Sequence, residues 1–446
     1  MIIKNFKSLI KKSLQRKKYL LIIENALKIL RPKSIVKNNI IIRNNKLKIG
    51  KKIYNLSNFE NIYLLGIGKG SLSVSVEILK RVKKIREAYI IDLNQPKFFY
   101  KNPRINFYKG THPLPSINNL KFSKKIIQRF YNKTREEDLF IVVICGGGSA
   151  MLTYPFMPFE ELNKKNVRNI ELNNINKYIN LNQQLLKSGA NIYEMNIIRK
   201  HCDVLKGGGL AKLLYPANVI SLIISDVPGN DLSIIASGPT VKDKSTIEDA
   251  FKLIKKFKLK NIKYNDLIET TKDYKYFKKV NNIILLNNLM VLKFMKEQAK
   301  YWNLKSNILT DRLKGNVIEV ARLLIKKIEK SNNILLLGGE TTVVVKGNGL
   351  GGRNQELVLW FLKDIYHLKK YNLGIISINS DGWDNTFFAG AIGDMFTLEE
   401  ARKLNLNIDE FLKNNDSYNF FKKVNDGIFT GRLPINISDI ILVFKY

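Results

Sequence analysis

The sequence predicts an α/β protein of two domains, each with a mostly parallel sheet flanked by helices. Three observations carry that reading. Apolar runs of strand length alternate with stretches of helical period. Several of these runs end abruptly in turns rich in glycine and polar residues. A lysine-rich, asparagine-spaced stretch at residues 252–279 separates an earlier series of runs from a later one. A chain of 446 residues has room for two or three ordinary domains, and the predicted division is 1–255 and 280–446.

In the first series, residues 61–65 read as a buried strand, and Gly66-Ile67-Gly68-Lys69-Gly70 turns into a helix over 71–82. Residues 88–91 form the next strand, with Asp92 at its carboxyl end. A helix near 119–131 leads to the strand 139–145, which stops at Gly146-Gly147-Gly148. Residues 176–188 are helical and close with Gly189, and 219–224 is a strand ending at Ser225-Asp226. Upstream, residues 1–18 are basic and amphipathic, without the apolar region of a signal peptide. They run into a helical pattern at 19–30 that Pro32 ends. The second series places strands at 282–286, 333–337, 342–345, 374–378 and 437–443, with helices at 289–302, 316–330 and 355–363.

Composition narrows the function classes. The chain carries 75 Lys+Arg against 38 Asp+Glu, a formal charge of +37. That suits a nucleic-acid or anionic-membrane partner. Lys, Asn and Ile, however, are spread along the whole chain, including stretches taken as loops such as 163–182. Arg and aromatics are not concentrated as on a nucleic-acid surface. The even spread argues for compositional drift, with steering of anionic substrates as a side effect. The longest apolar runs, such as 139–145 and 334–337, fall far short of the about 20 residues a spanning helix needs, so a soluble protein with no membrane partner is expected. Only Cys145 and Cys202 occur, without metal-ligand spacing, which fits a reducing cytoplasm. Oligomeric state stays open between monomer and homodimer.

Four glycine-bearing loops lie where ligands bind in open parallel sheets, at the carboxyl ends of strands: 66–70, 146–150, 225–238 and 338–353. Glycine lets backbone N–H groups approach a ligand, and a following helix start favours anions. Gly66-x-Gly68-Lys69 lacks the end of a Walker loop, and Ser71 replaces the third glycine of a dinucleotide fingerprint. It does put a lysine beside an anion site. Ser149 follows three glycines and can donate to an anion. Arg199-Lys200-His201 precedes Lys206-Gly207-Gly208-Gly209 and suits a carboxylate. Asp226 can accept a hydroxyl proton or hold Mg²⁺ on a polyphosphate. Arg353 opens a helix after a glycine hairpin, and its flat fork can bridge phosphate oxygens. Asp381, at another strand end, is the rival base or metal ligand. His112, in Gly110-Thr111-His112-Pro113, reads as a rigid loop element and His367 as a surface residue.

Taken together and in this order, these segments resemble the glycerate 2-kinase family, the MOFRL-type kinases often labelled hydroxypyruvate reductases. The most specific blocks are 146–150, Ser188-Gly189-Ala190 through Arg199-Lys200-His201 to Lys206-Gly207-Gly208, Ser225-Asp226-Val227 with Ser237-Gly238-Pro239-Thr240, and 338–342 with 351–356. The likeness runs from about residue 21 to 443. It implies two α/β domains with the active site in the cleft between them, ATP and Mg²⁺ as cosubstrates, and conversion of D-glycerate to 2-phosphoglycerate. It also implies Lys69 and Arg353 as the principal active-site cations.

On this reading Ser149, Arg199, Lys200 and His201 hold the acid, and Asp226 serves the acceptor hydroxyl. Gly146, Gly147, Gly148, Gly339, Glu340, Gly352 and Asn354 line the nucleotide, and Asp381 holds the metal. The chain departs from the family pattern at Ser380, usually Thr, and at Asn385, usually Gly. Near the C-terminus, Thr430-Gly431-Arg432-Leu433-Pro434-Ile435-Asn436 replaces Thr-Gly-Pro-Thr-Gly-Thr-Asn, which touches the nucleotide and substrate details of that loop. Two other readings compete. Gly66 and Gly68 with Asp92 suit an NAD(P)H-dependent hydroxypyruvate reductase, although no His–acid pair accompanies them. The charge suits a basic nucleic-acid-binding protein.

Overall fold

The computed structural model describes residues 1–93, 104–161, 167–331 and 333–446. The chain divides into two compact units: residues 35–285, and a unit assembled from residues 1–34 and 286–446. We call them the middle unit and the split unit. The division differs from the predicted 1–255 and 280–446 at both ends. The first helices join the split unit, and the strand Val280–Leu286 completes the sheet of the middle unit.

The middle unit is built on a six-stranded sheet. Its order is Ile105–Lys109, Ile85–Asp92, Asn61–Ile67, Asp138–Ile144, Asn218–Ile224, Val280–Leu286. The ladders between the first five strands are all parallel. Strand Asp138–Ile144 is buried at every position, as expected of a parallel strand covered on both faces. A core of Leu65, Ile67, Phe122, Ile126, Phe140 and Val142 packs one face against the helix Ile117–Phe130. A three-stranded antiparallel meander, Ile40–Asn55, precedes the sheet. The stretch taken as a loop at 163–182 is helical from Val167 to Lys187; its positions 163–166 lie outside the described residues.

In the split unit the sheet is mixed. Its order is Ser306–Leu313, Ile334–Gly339, Asp439–Lys445, Leu373–Asn379, Gly390–Gly393, Gly427–Ile428. Only the first pair is parallel. The last strand of the chain enters antiparallel between its two neighbours. A mostly parallel sheet was expected here. Asp439–Lys445 is fully buried up to its final residue, so its apolar run carries no signal of direction. A strand was also expected at 342–345. Of these residues Thr342 alone makes a bridge, to Asn316, while Val344 and Val345 are exposed.

Helix Arg16–Ile29 buries Tyr19, Leu20, Ile22, Ile23, Ala26 and Leu27 along one stripe. Tyr19 stacks on Phe444 of the last strand at 3.9 Å. The Arg16 side chain is wholly buried. It donates from Nε to Asp394 at 2.7 Å and from Nη1 to Asp426 at 2.7 Å. Two carboxylates balance one buried guanidinium, which fixes the N-terminal segment within the split unit.

Candidate active site

Each unit gathers polar groups where its strands end. In the middle unit the strands ending at Ile67, Ile144 and Ile224 are neighbours, so the loops after them lie side by side. The Lys69 N–H donates to the Gly146 carbonyl at 2.9 Å. Gly68 has φ +105°, and a Cβ there would fall 2.5 Å from the Cys145 carbonyl oxygen. Only glycine lets these two loops touch. A Cβ on Gly146 would lie 2.1 Å from Asp226 Oδ2, so the Asp226 carboxylate rests directly against that backbone.

The conformation of the glycine run is held from below. Ala236 and Ser237 both have positive φ, +51° and +61°. Strain of this kind in residues with side chains is common at functional sites. The Ala236 methyl sits 2.8 Å from where a Cβ on Gly148 would be. Ser237 donates to Asn196 Oδ1 at 2.5 Å, and its hydroxyl lies 2.7 Å from that of Ser149. Ser237 has one hydrogen, so Ser149 must donate to Ser237. Ser149 therefore turns lone pairs, and not its hydrogen, toward the loop. That corrects the expected donation to an anion.

Lys69 and His112 meet over Gly147, which has φ +76°. A Cβ there would be 2.9 Å from His112 Cδ2 and 3.3 Å from Lys69 Cε. Arg199 is anchored by Nε, which donates to the buried Asn182 at 2.8 Å. Among the described residues no carboxylate pairs with Arg199 or with Lys69. Burial pulls the Arg199 pKa down. An unpaired cation taken partly out of water favours an anion strongly. The His112 ring remains open to solvent on one side. Burial, then Lys69, then Arg199 pull its pKa down to about 4.

Other expected acid-binding groups face the interior. Lys200 is buried and donates to Asp243 at 3.0 Å. His201 is fully buried, with Nδ1 3.0 Å from the Ile268 carbonyl and Nε2 3.2 Å from the Ser245 hydroxyl. A helix turns successive side chains about 100° apart, so Arg199 points elsewhere than Lys200 and His201. The structure removes those two from the substrate-binding set. Asp92 is likewise occupied: it accepts from the Leu72 N–H at 3.0 Å and from its neighbour Leu93 at 2.7 Å. It caps the helix start, where a reductase would present it to ribose.

In the split unit Arg353 opens the helix Arg353–His367. Its Nε donates to Asp439 Oδ2 at 2.7 Å and its Nη2 to Oδ1 at 3.0 Å, while Glu340 Oε1 lies 3.1 Å from Nη2. Burial pushes the Asp439 carboxyl up to about 7 against the pull of Arg353. Asn354, expected on the nucleotide, is buried and donates to Asp439 at 2.9 Å and to Asp384 at 3.2 Å. Asp384 also accepts from the N–H groups of Asn354 and Gln355, and so caps this helix from another loop. Gly352 is pinned by the same carboxylate, since a Cβ there would fall 2.4 Å from Asp384 Oδ1. Gly339, at φ +130°, passes 2.3 Å from the Leu313 nitrogen by the same measure. Asn354, Gly352 and Gly339 thus shape the loop that presents Arg353 and Glu340.

Asp381 is partly exposed and accepts from the Trp383 N–H at 3.0 Å. Arg432, one of the residues that depart from the family pattern, lies 4.0 Å above the Trp383 ring. Among the described residues no three His, Cys, Asp or Glu side chains gather as a metal cage. Mg²⁺ held by one or two carboxylates and substrate phosphates needs no such cage. A single accessible carboxylate at a strand end fits that mode.

Comparison with known proteins gives these loops a context. Residues 18–269 match the model described as a domain of unknown function (DUF4147), and residues 333–439 match the MOFRL family. The chain is 35% identical over 442 residues to a glycerate 2-kinase of Picrophilus torridus, covering 97% of this chain and 96% of that one. It belongs to the glycerate 2-kinase family. A D-glycerate 2-kinase of Thermotoga maritima is 32% identical over 406 residues, covering 86% of this chain and 91% of that one. The crystal structure of glycerate kinase from Thermotoga maritima superposes with a TM-score of 0.79 at 27% identity, over 97% of this chain and 99% of that one. A Pyrococcus horikoshii protein follows with a TM-score of 0.77 at 27% identity, over 96% and 98%. Membership makes the chain a kinase, and the glycine-loop cations belong to a phosphotransferase fold. No helix among the described residues is long and apolar enough to cross a membrane.

Within this glycerate 2-kinase family member, sequence reasoning missed His112, Asp439 and Asp384. His112 was legible only as part of a proline-bounded turn, and Asp439 only as a polar residue before the last strand. Neither has a local pattern that names its partner.

Proposed function

We propose that the chain transfers the terminal phosphoryl group of ATP to D-glycerate, giving 2-phosphoglycerate. The observation that carries the proposal is Lys69 over the Gly147 turn beside His112, with Arg199, anchored by Asn182, near enough to act on that histidine; neither cation has a carboxylate partner among the described residues. Phosphoryl transfer calls for positioning and charge neutralisation more than covalent chemistry. Arg199 holds the acid carboxylate, and the Gly146–Gly148 backbone lies under the phosphates. Lys69 supplies a cation of transfer, and Arg353 is the cation that the loop of its own unit presents. Glu340 and Asp439 orient Arg353, and Asp226 orients the reacting groups. Asp381 would hold Mg²⁺, which supplies neutralisation of polyphosphate charge when bound. The test is a coupled assay for ADP release with D-glycerate and ATP, run over a panel of hydroxy acids and beside NADH absorbance with hydroxypyruvate. NADH oxidation without glycerate-dependent ADP release would overturn the proposal.

A further inference from the structure

His112 is held over the glycine run by a device of its own. The edge strand Ile105–Lys109 ends at Gly110, whose N–H donates to the Asp92 carbonyl at 2.9 Å. Asn119, fully buried on the following helix, accepts from the Thr111 N–H at 3.0 Å. It donates to the Thr111 carbonyl at 3.0 Å and to the Ala150 carbonyl at 2.9 Å. One amide therefore ties the His112 loop to the short helix Gly148–Met151 that follows the glycine turn. The ring lands beside Gly147 next to the Lys69 stem, and no described residue engages either ring nitrogen. Buried asparagines are not spent on fixing an idle surface turn.

We infer that His112 is a substrate-positioning residue whose neutral imidazole accepts a hydrogen bond from the hydroxyl of the hydroxy acid. The inference rests on the reading that Arg199 takes the carboxylate and Lys69 the transferring phosphoryl. In such a substrate the hydroxyl oxygen is the atom bonded between those two anionic ends. His112 lies beside the Lys69 stem over Gly147, and Arg199 is near enough to act on its charge. A cation in its place would have no lone pair for the hydroxyl. Burial, with Lys69 and Arg199 adding to it, holds the ring uncharged, so the acceptor is available at neutral pH. Arg199 thus selects for an acid, and His112 for an acid that carries a hydroxyl.

Calorimetric binding of D-glycerate and of malonate, a carboxylate with no hydroxyl, separates the roles in the wild type and in His112→Leu, His112→Asn and Asp226→Asn. Glycerate affinity should fall about tenfold in His112→Leu, the scale of one lost hydrogen bond. It should stay within about twofold in His112→Asn, which keeps an acceptor, and malonate should bind the wild type and both His112 variants alike. Equal glycerate binding in His112→Leu, equal losses for glycerate and malonate, or a loss confined to Asp226→Asn would each overturn the inference. If His112→Leu does not fold, a tenfold glycerate loss in His112→Asn overturns it instead. Absence of glycerate-dependent ADP release in the wild type defeats the kinase reading separately, while the binding comparison still reports on His112.

Discussion

Arg353 grips Asp439 with both arms of its guanidinium, Nε to Oδ2 at 2.7 Å and Nη2 to Oδ1 at 3.0 Å. The carboxylate is almost wholly buried, while the guanidinium side chain keeps 27% of its surface. Nε and Nη2 are therefore committed to Asp439 and Glu340 while part of the side chain stays exposed, an arrangement suited to aiming a cation. Removing either partner leaves the other poorly matched: among the described residues Arg353 keeps only the half-exposed Glu340, and Asp439 only Asn354. Asp439→Ala should destabilise the protein by about 3 kcal/mol, and Arg353→Ala should also lower the melting temperature as it abolishes turnover. Denaturant unfolding beside the ADP assay checks this; full stability in Arg353→Ala would contradict the pairing.

Lys69 offers the contrast. No described carboxylate pairs with it, so Lys69→Ala should change stability by no more than about 0.5 kcal/mol. The same change should lower kcat by about a thousandfold or more through lost charge stabilisation. Circular dichroism and turnover measured on one preparation give both readings.

On the proposed reading, the cost of burying Arg199 is offset by the acid it holds. Burial holds its pKa down and no described carboxylate relieves it. Arg199→Met should raise KM for glycerate by about ten- to a hundredfold, the worth of a charged hydrogen bond. It should leave the melting temperature unchanged or raise it. A lower melting temperature with unaltered KM would show that the guanidinium serves packing instead.

The glycine run tolerates no side chain. A methyl at residue 146 would fall 2.1 Å from Asp226 Oδ2, and displacement of about 1 Å in a reacting array can lower the rate about a hundredfold. Gly146→Ala should show that loss. Gly147→Ala should be worse folded as well, because of its φ of +76°.

His112 also predicts a pH effect on stability. Its folded pKa is held down to about 4, below the about 6.5 of an unfolded histidine. Between those values the unfolded chain binds more protons than the folded one, so stability falls as pH drops from about 6.5 toward 4. Unfolding midpoints at pH 7 and pH 5 should lie farther apart in the wild type than in His112→Asn.

Strand cores and glycine turns were readable because burial and backbone geometry leave local traces. The run ending at Gly146-Gly147-Gly148 announces both its strand and its loop, and Lys69 is marked by the glycines beside it. Partnerships across sequence were not readable. Lys200 and His201 look as available as Arg199 until the helix turns them toward Asp243 and Ser245. Asn354 looks like a ligand group until Asp439 and Asp384 claim it. The direction of the last strand is hidden for the same reason, since a run apolar on both faces reads alike either way.

The union of residues 1–34 with residues 286–446 sets a timetable for biosynthesis. The stripe of Tyr19, Leu20, Ile23 and Leu27 leaves the ribosome about 400 residues before its partner Phe444. At about 5–20 residues per second that gap is roughly twenty to eighty seconds. Until Asn288–Tyr301 and then the last strand follow, the apolar stripe lacks its partners in the split unit, a handle for chaperones and a starting point for aggregation when synthesis stalls.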